Sequence, residues 1–301
     1  MFDVHRLRLL RELSQRETIA AVAAALDYSP STVSEQLSQL EREAGVRLFE
    51  RVGRRLQLTP AAELLAAHAG VVIAQLEEAE AELASLVADG GGQVRLAMFP
   101  SAAHTVLLPA LDELSRTAPG LEVVVQVLEH EQALPRLLSH ELDLVLTEEY
   151  PGHPLPRRRD VDRARLTVDR IRLCDPRGGT RPRGIDRLAE VPWVLEPAGT
   201  AARTWADAVC RDAGFEPQVR YESTDLTLHR QLAEAGRAAA LLPELVTAGH
   251  PETGSLRSLP GDPARTLDTA VRPGTRRHPH IIAVRAALAA AVRTVSREAG
   301  R

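Results

Sequence analysis

The chain has 301 residues, enough for two or three domains with cores of their own. It is 44% hydrophobic and 26% charged, as soluble globular proteins are, and with only 3% aromatic residues its cores must be aliphatic. Its basic residues are all arginine, yet the net charge is −4, so any affinity for nucleic acid must come from local charge placement. Cys174 and Cys210 are far apart and fit neither a metal spacing nor a disulfide framework. The charged, amphipathic opening MFDVHRLRLLREL has no apolar signal core, and no uncharged apolar run is long enough to span a membrane. The expectation is a cytoplasmic protein without a membrane partner, a metal or a cofactor.

Asp3 is placed to N-cap a first helix carrying Leu7, Leu10 and Leu13 on one face. Thr18 can cap a second, with Val22, Ala23 and Leu26 inward, and Asp27-Tyr28 make a turn. Ser29 is a good N-cap, Pro30 suits the first helical position, and the third helix runs to Ala44 with Gly45 as its left-handed C-cap. Two helices joined by so short a turn predict a helix-turn-helix, whose second helix enters the DNA major groove. Its core stripe is Val33, Leu37 and Leu40. Ser29 opens the helix, and Ser31, Thr32, Ser34, Glu35, Gln36 and Gln39 then lie off that stripe as candidate DNA contacts. Ser and Thr suit phosphate or base edges, Gln suits adenine and Glu suits cytosine N4. Arg51, Arg54 and Arg55 cluster in a hairpin signal that reads as a basic wing, although residues 1–60 hold only one more arginine than acids.

Thr59-Pro60 opens another helix, predicted to run to about Asp89. Leu65, Ala69, Val72, Leu76, Ala79, Leu83 and Leu86 recur at spacings of four and three, a sustained heptad seam. The seam suits a coiled-coil dimer, which would present two recognition helices to a pseudo-palindromic operator in double-stranded DNA. A helix packed on its own domain is the alternative. Gly90-Gly91-Gly92 marks a domain boundary.

From Gln93, short β-runs alternate with helices: VRLAM, LEVVVQVL, LDLVLT, LTVDRIRL, PWVLE, PQVRYE, AAALL and TLDTAVR are the strands. This predicts α/β architecture with a mostly parallel sheet, and about 200 residues suit two lobes. Ligands in such folds sit at strand C-terminal ends beside helix N-termini. Ser101, Ala102 and Thr147 in one lobe, and Gly199, Thr200, Ser223 and Thr224 in the other, are the candidate effector contacts. Helix capping is the competing role for each. His104 and Arg203 could bind an anionic group or equally be solvated. Glu148-Glu149 resembles a catalytic acid pair only superficially and reads as adjacent acids exposed in a loop, His278 and His280 lack further metal ligands, and the arginines of PGHPLPRRRD at 151–160 read as a solvated loop.

The run from Ile19 to Thr59 resembles LysR-type transcriptional regulators. The matching pieces are Ala23-x-x-Leu26, Ser29-x-x-x-Val33-Ser34-x-Gln36-Leu37, Leu58-Thr59 and above all LEREAGVRLFER at 40–51. Pro30-Ser31 and Glu35 depart from the pattern, and Glu35 points to a different base preference. Ala213-Gly214-Phe215-x-Pro217, Glu222-Ser223-x-Asp225 and Leu241-Leu242-Pro243 extend the resemblance more weakly. It implies an α+β chain. An all-α winged helix-turn-helix (1–59) would precede a linker and dimerisation helix (60–89). A periplasmic-binding-protein-like (type 2) effector domain (90–301) would follow. Lobe I would span 93–165 and 270–301 and lobe II 166–269, with crossing strands near 166–174 and 266–272. It further implies a homodimer or homotetramer, a small-molecule effector and RNA polymerase as partners, and no enzyme. A solute-binding module of a transport system, or an enzyme fused to a DNA-binding domain, are the alternatives.

Overall fold

A computed structural model describes residues 1–26, 28–52, 55–86, 91–176, 184–250 and 256–299. The first three helices are α1 (Val4–Arg16), α2 (Ile19–Ala25) and α3 (Pro30–Ala44). Asp3, Thr18 and Ser29 each accept a backbone N–H at their N-termini, which satisfies donors a helix start otherwise leaves free. Gly45 closes α3 at φ 68°, a left-handed conformation that a side chain would strain. The hairpin β1 (Phe49–Val52) and β2 (Arg55–Leu58) follows, antiparallel, with Phe49 opposite Leu58. Leu10, Val22, Val33, Leu37, Leu40 and Leu48 meet in one core.

Helix α4 (Pro60–Ser85) continues from this unit, capped by Thr59. It serves two masters, and this corrects the predicted seam. Ala69 is 1% exposed within the winged-helix core, and Leu65 packs against the same core. These two therefore close their own domain. Val72, Leu76, Leu83 and Leu86 stay exposed, joined by Leu64 and Val71; Leu76 is 44% and Leu83 65% exposed.

The remaining elements are β3 (Gly92–Met98), α5 (Pro100–Thr117), β4 (Leu121–Val127), α6 (His130–Leu138), β5 (Leu144–Glu149) and β6 (Asp162–Cys174). Then come β7 (Pro192–Leu195), α7 (Ala201–Asp212), β8 (Gln218–Glu222), α8 (Leu226–Glu234) and β9 (Ala240–Pro243). The chain continues with α9 (Glu244–Thr247), β10 (Leu256–Ser258), β11 (Ala264–Val271) and α10 (Pro279–Ala299). The large sheet runs β10-β6-β11-β5-β3-β4, with β9 also on β6. It is mixed, not mostly parallel. β3 is parallel to β4 and β5, whereas β11 is antiparallel to both β5 and β6. The reason is that β6 and β11 travel as an opposed pair from one lobe to the other.

In the first lobe α5 and α10 bury Val106, Leu114, Val284 and Leu288 against one face of the sheet. Helix α6 covers the other face over Ala97, Val145 and Ala270. The second lobe is built on β7 and β8, which are parallel, with a bridge from Trp193 to Ala239. Trp193 is fully buried, and its indole N–H donates to the Leu188 carbonyl at 3.1 Å. Among the described residues no helix is long and apolar enough to cross a membrane.

Candidate functional site

The first candidate surface lies on α3. Ser31, Thr32, Ser34 and Glu35 are exposed there, with Gln36 and Gln39 half-buried. Ser29 is chiefly a cap: its Oγ accepts from the Thr32 N–H at 3.1 Å and lies 2.7 Å from the Ser31 hydroxyl. The Gln36 carbonyl accepts from Arg6 Nε at 3.0 Å, and Gln39 accepts from Arg42 Nε at 3.0 Å. A bidentate contact from Gln36 to adenine therefore requires Arg6 to let go. The LEREAGVRLFER segment acquires a physical role. One Glu41 oxygen accepts the backbone N–H groups of Leu48 and Phe49 at 2.8 and 3.2 Å, fastening the wing to α3. Thr59 donates to the Arg47 carbonyl at 2.8 Å while capping α4, so wing and linker share one anchor. Arg54 lies outside the described residues, as do the side chains of Arg51 and Arg55.

The second candidate site lies between the lobes. Thr200 and Thr224 from the second lobe line a small cavity of about 40 Å³ together with Glu129, Glu148, Tyr150 and Glu196. Thr200 also caps α7, accepting from the Arg203 N–H at 3.1 Å. A larger cavity of about 890 Å³ shares His130, Glu131 and Ala201 with it as common walls. Gly199 lines this outer space, as do Leu134, Leu138 and Leu155 of the first lobe and Ser14 to Arg16 of α1.

Other predicted contacts are placed elsewhere. Thr147 is fully buried with its hydroxyl unpaired, and it lines neither cavity. Side chains alternate along β5, so Glu148 faces the cleft where Thr147 cannot. Ser101 is buried behind the cleft, accepting from Arg265 Nη1 at 3.1 Å, and Ala102 is core. The Ser223 hydroxyl accepts from the Asp225 N–H at 3.0 Å, a turn contact. His104 is exposed, and Arg203 is neutralised by Asp207 and Glu222 at 3.0 and 2.9 Å. Neither arrangement supplies the anion site predicted for them. Glu148 and Glu149 sit in β5, not in an exposed loop, paired with Arg265 and Arg163.

Sequence reasoning missed the centre of this site. Arg265 on β11 is 1% exposed and lies opposite Asp169 on β6. Its guanidinium meets Asp169 Oδ2 at 2.9 Å and Glu148 Oε2 at 2.7 Å, with the Phe99 ring centroid 5.5 Å away. Burial works against its charge, but Asp169 and Glu148 outweigh burial and hold the arginine protonated. Glu129 and Glu196 face the cavity without an arginine of their own among the described residues. Burial first, then repulsion from Glu148, lifts Glu129 to about 7 and Glu196 to about 8. No clear advance signal marked it, because Arg265 stands in a run, RTLDTAV, that already mixes polar and apolar residues.

A winged helix-turn-helix joined by a long helix to two α/β lobes, with a polar cavity between them, defines a DNA-binding regulator with a ligand-binding domain. Comparison with known proteins agrees. Residues 4–63 match the description "Bacterial regulatory helix-turn-helix protein, lysR family", and residues 87–293 match "LysR substrate binding domain". The chain is 27% identical over 247 residues to the transcriptional dual regulator GltC of Bacillus subtilis, covering 80% of this chain and 81% of that one. It is 31% identical over 298 residues to a probable hydrogen peroxide-inducible genes activator of Streptomyces viridosporus, covering 96% and 94%. Its fold resembles full-length OxyR of Pseudomonas aeruginosa in a cysteine-to-aspartate variant, with TM-score 0.65, 20% identity and coverage of 96% and 95%. The chain belongs to the LysR family and is a LysR-type transcriptional regulator with an effector-binding domain.

Proposed function

We propose that the protein acts as a homodimer, or a tetramer built from such dimers, on a pseudo-palindromic operator in the cytoplasm. The single observation behind this is the exposed apolar stripe Leu64, Val71, Val72, Leu76, Leu83 and Leu86 on α4. One face of a long helix directly behind a winged helix favours pairing of two such helices. Thr32, Ser31, Ser34 and Glu35 read the major groove, and Arg51, Arg54 and Arg55 hold phosphates or the minor groove. RNA polymerase is the further partner.

The effector is a small molecule held without covalent chemistry between the lobes. A relative is named as peroxide-inducible, but burial pushes the Cys174 thiol up to about 11 and that of Cys210 up to about 12. The two thiols lie in different apolar clusters. The thiolate needed for attack on peroxide is scarce at such sites. The cavity between the lobes carries the binding role instead.

Leu76→Asp tests the dimer. A charge in an apolar helix contact costs several kcal/mol, so the variant is expected to sediment as a monomer and to lose affinity for the protein's own upstream DNA. A variant that stays dimeric and binds DNA normally sinks the proposal that α4 pairs.

A further inference from the structure

The interlobe cleft has an unusual electrical character. Among the described residues its buried guanidinium is Arg265, already shared between Asp169 and Glu148. Glu129 and Glu196 then enter the same cavity from opposite lobes, and Glu131 stands on its wall. An anionic ligand in the inner cavity would meet carboxyl groups from both lobes, while the arginines that line the outer cavity, Arg16, Arg158 and Arg163, are each already paired with an acid.

A second observation is independent of the carboxylates. His130 is only 7% exposed and walls both the inner and the outer cavity. Its Nε2 lies 3.3 Å from Glu131 Oε1. Its Nδ1 has no hydrogen-bond partner. A buried ring nitrogen left open calls for a partner, and in the neutral ring whose Nε2 proton points at Glu131 that partner is a donor. The ligand group that supplies donors and positive charge together is an ammonium. The inner cavity of about 40 Å³ suits its size, since a water molecule occupies about 30 Å³ of liquid. The outer space, about 890 Å³, has an apolar wall of Leu134, Pro135, Leu138 and Leu155 beside the acid-paired Arg16, Arg158 and Arg163, and that wall suits an apolar body.

We propose that the effector is an organic amine whose ammonium bridges Glu129 of one lobe and Glu196 of the other. Its apolar part fills the outer cavity beside α1. The proposal rests on the reading of the cleft as the effector site and names the chemical class it takes. It also supplies a route to the DNA. Ser14, Gln15 and Arg16 at the end of α1 wall the outer cavity, so the ligand body touches the DNA-binding domain directly.

The test uses the full-length protein and matched probes that share a body and differ in charge: phenethylamine against 3-phenylpropionate, and hexylamine against hexanoate. Calorimetry and thermal melting are expected to show binding by the amines and at least tenfold weaker binding by the acids. Glu129→Gln and Glu196→Gln are each expected to weaken amine binding about tenfold or more. Gln replaces a buried carboxyl with a neutral group of the same shape, so without ligand both variants should melt no lower than the parent, least of all above about pH 8 where the parent carboxyls ionise, which separates a binding loss from misfolding. Preference for the acids, equal binding of both series, or binding by neither overturns the amine assignment. Amine binding that survives both substitutions places the ligand elsewhere and overturns the cleft reading itself. Titration of upstream DNA on the same preparation distinguishes the two failures, because DNA binding without amine binding leaves the regulator standing.

Discussion

At the scale of single residues, the cleft is organised by alternation and by one buried cation. Adjacent β5 residues divide their roles: Thr147 is buried with its hydroxyl unpaired, and Glu148 reaches Arg265. Asp169 is itself committed on its other side, accepting the Leu245 N–H at 3.0 Å. Arg265 thus ties β11 to β6, to β5 and, through Ser101, to α5. Arg265→Leu would strand two buried carboxylates. The expected loss is about 3–5 kcal/mol of unfolding free energy, as for other broken buried pairs. Denaturant titration checks it, and a loss below about 1 kcal/mol would show that the carboxylates find water or protons instead. Ser101, Thr200 and Ser223 were legible in the sequence as residues at helix starts and turns. Which of them faces the ligand was not, because capping and ligand contact use the same residue types at the same positions.

At the scale of elements, α4 is held to the first lobe by a compact clamp. Glu77 accepts from Arg272 Nε at 2.6 Å and lies 3.2 Å from His140 Nδ1. Burial works to raise the Glu77 carboxyl, but His140 and Arg272 outweigh it and hold it below its ordinary value. Beside the clamp, Gly274 is so close to α4 that a Cβ would lie 2.4 Å from the Ala74 carbonyl. Gly274→Val is expected to force the 3-10 turn Pro273–Thr275 off the helix. Overpacking of this kind costs about 1–3 kcal/mol. Hydrogen exchange over 72–80 should rise while the strands β3 to β5 keep their protection. Unchanged exchange in α4 would mean that the turn adapts without releasing it. The heptad pattern announced α4 as a long helix but not its two duties. Periodicity records which positions are apolar, and only packing shows that Ala69 and Leu65 belong to the winged-helix core while Leu76 and Leu83 do not.

At the scale of the whole molecule, the cleft couples folding to pH. Glu129 and Glu196 titrate near about 7 and about 8 in the folded protein, against an ordinary value of 4.5. Between these values the folded chain keeps protons that the unfolded chain has released. Their contribution to stability is thus fully present below 4.5 and lost as pH rises through about 7 and then about 8. Glu77 acts in the opposite sense, with stability present above its ordinary value and lost on acidification. Comparison with a variant isolates the cleft. From about pH 5.5 to about pH 8.5 the melting temperature of Glu196→Gln should fall less than that of the parent protein. Parallel profiles would show that Glu196 does not carry the buried proton.

Local chemistry in the sequence was enough to announce the winged helix, the long linker and the alternating α/β region. Caps such as Asp3, Thr18, Ser29 and Thr59, the Gly45 stop and the apolar periods act between near neighbours, so each helix start is written where it forms. The family followed from the same short-range pattern at 40–51, whose Glu41 and Gly45 fasten the wing. The family resemblance already implied crossing strands near 166–174 and 266–272; only the tertiary structure decided their antiparallel pairing, the mixed sheet and the acidic cleft. Arg265 and Glu148 are brought together from positions 117 residues apart, and Glu129 and Glu196 from separate lobes. Each of those residues reads in sequence as an ordinary surface charge. What makes them a site is shared burial, which strengthens charge interactions and which no local pattern encodes.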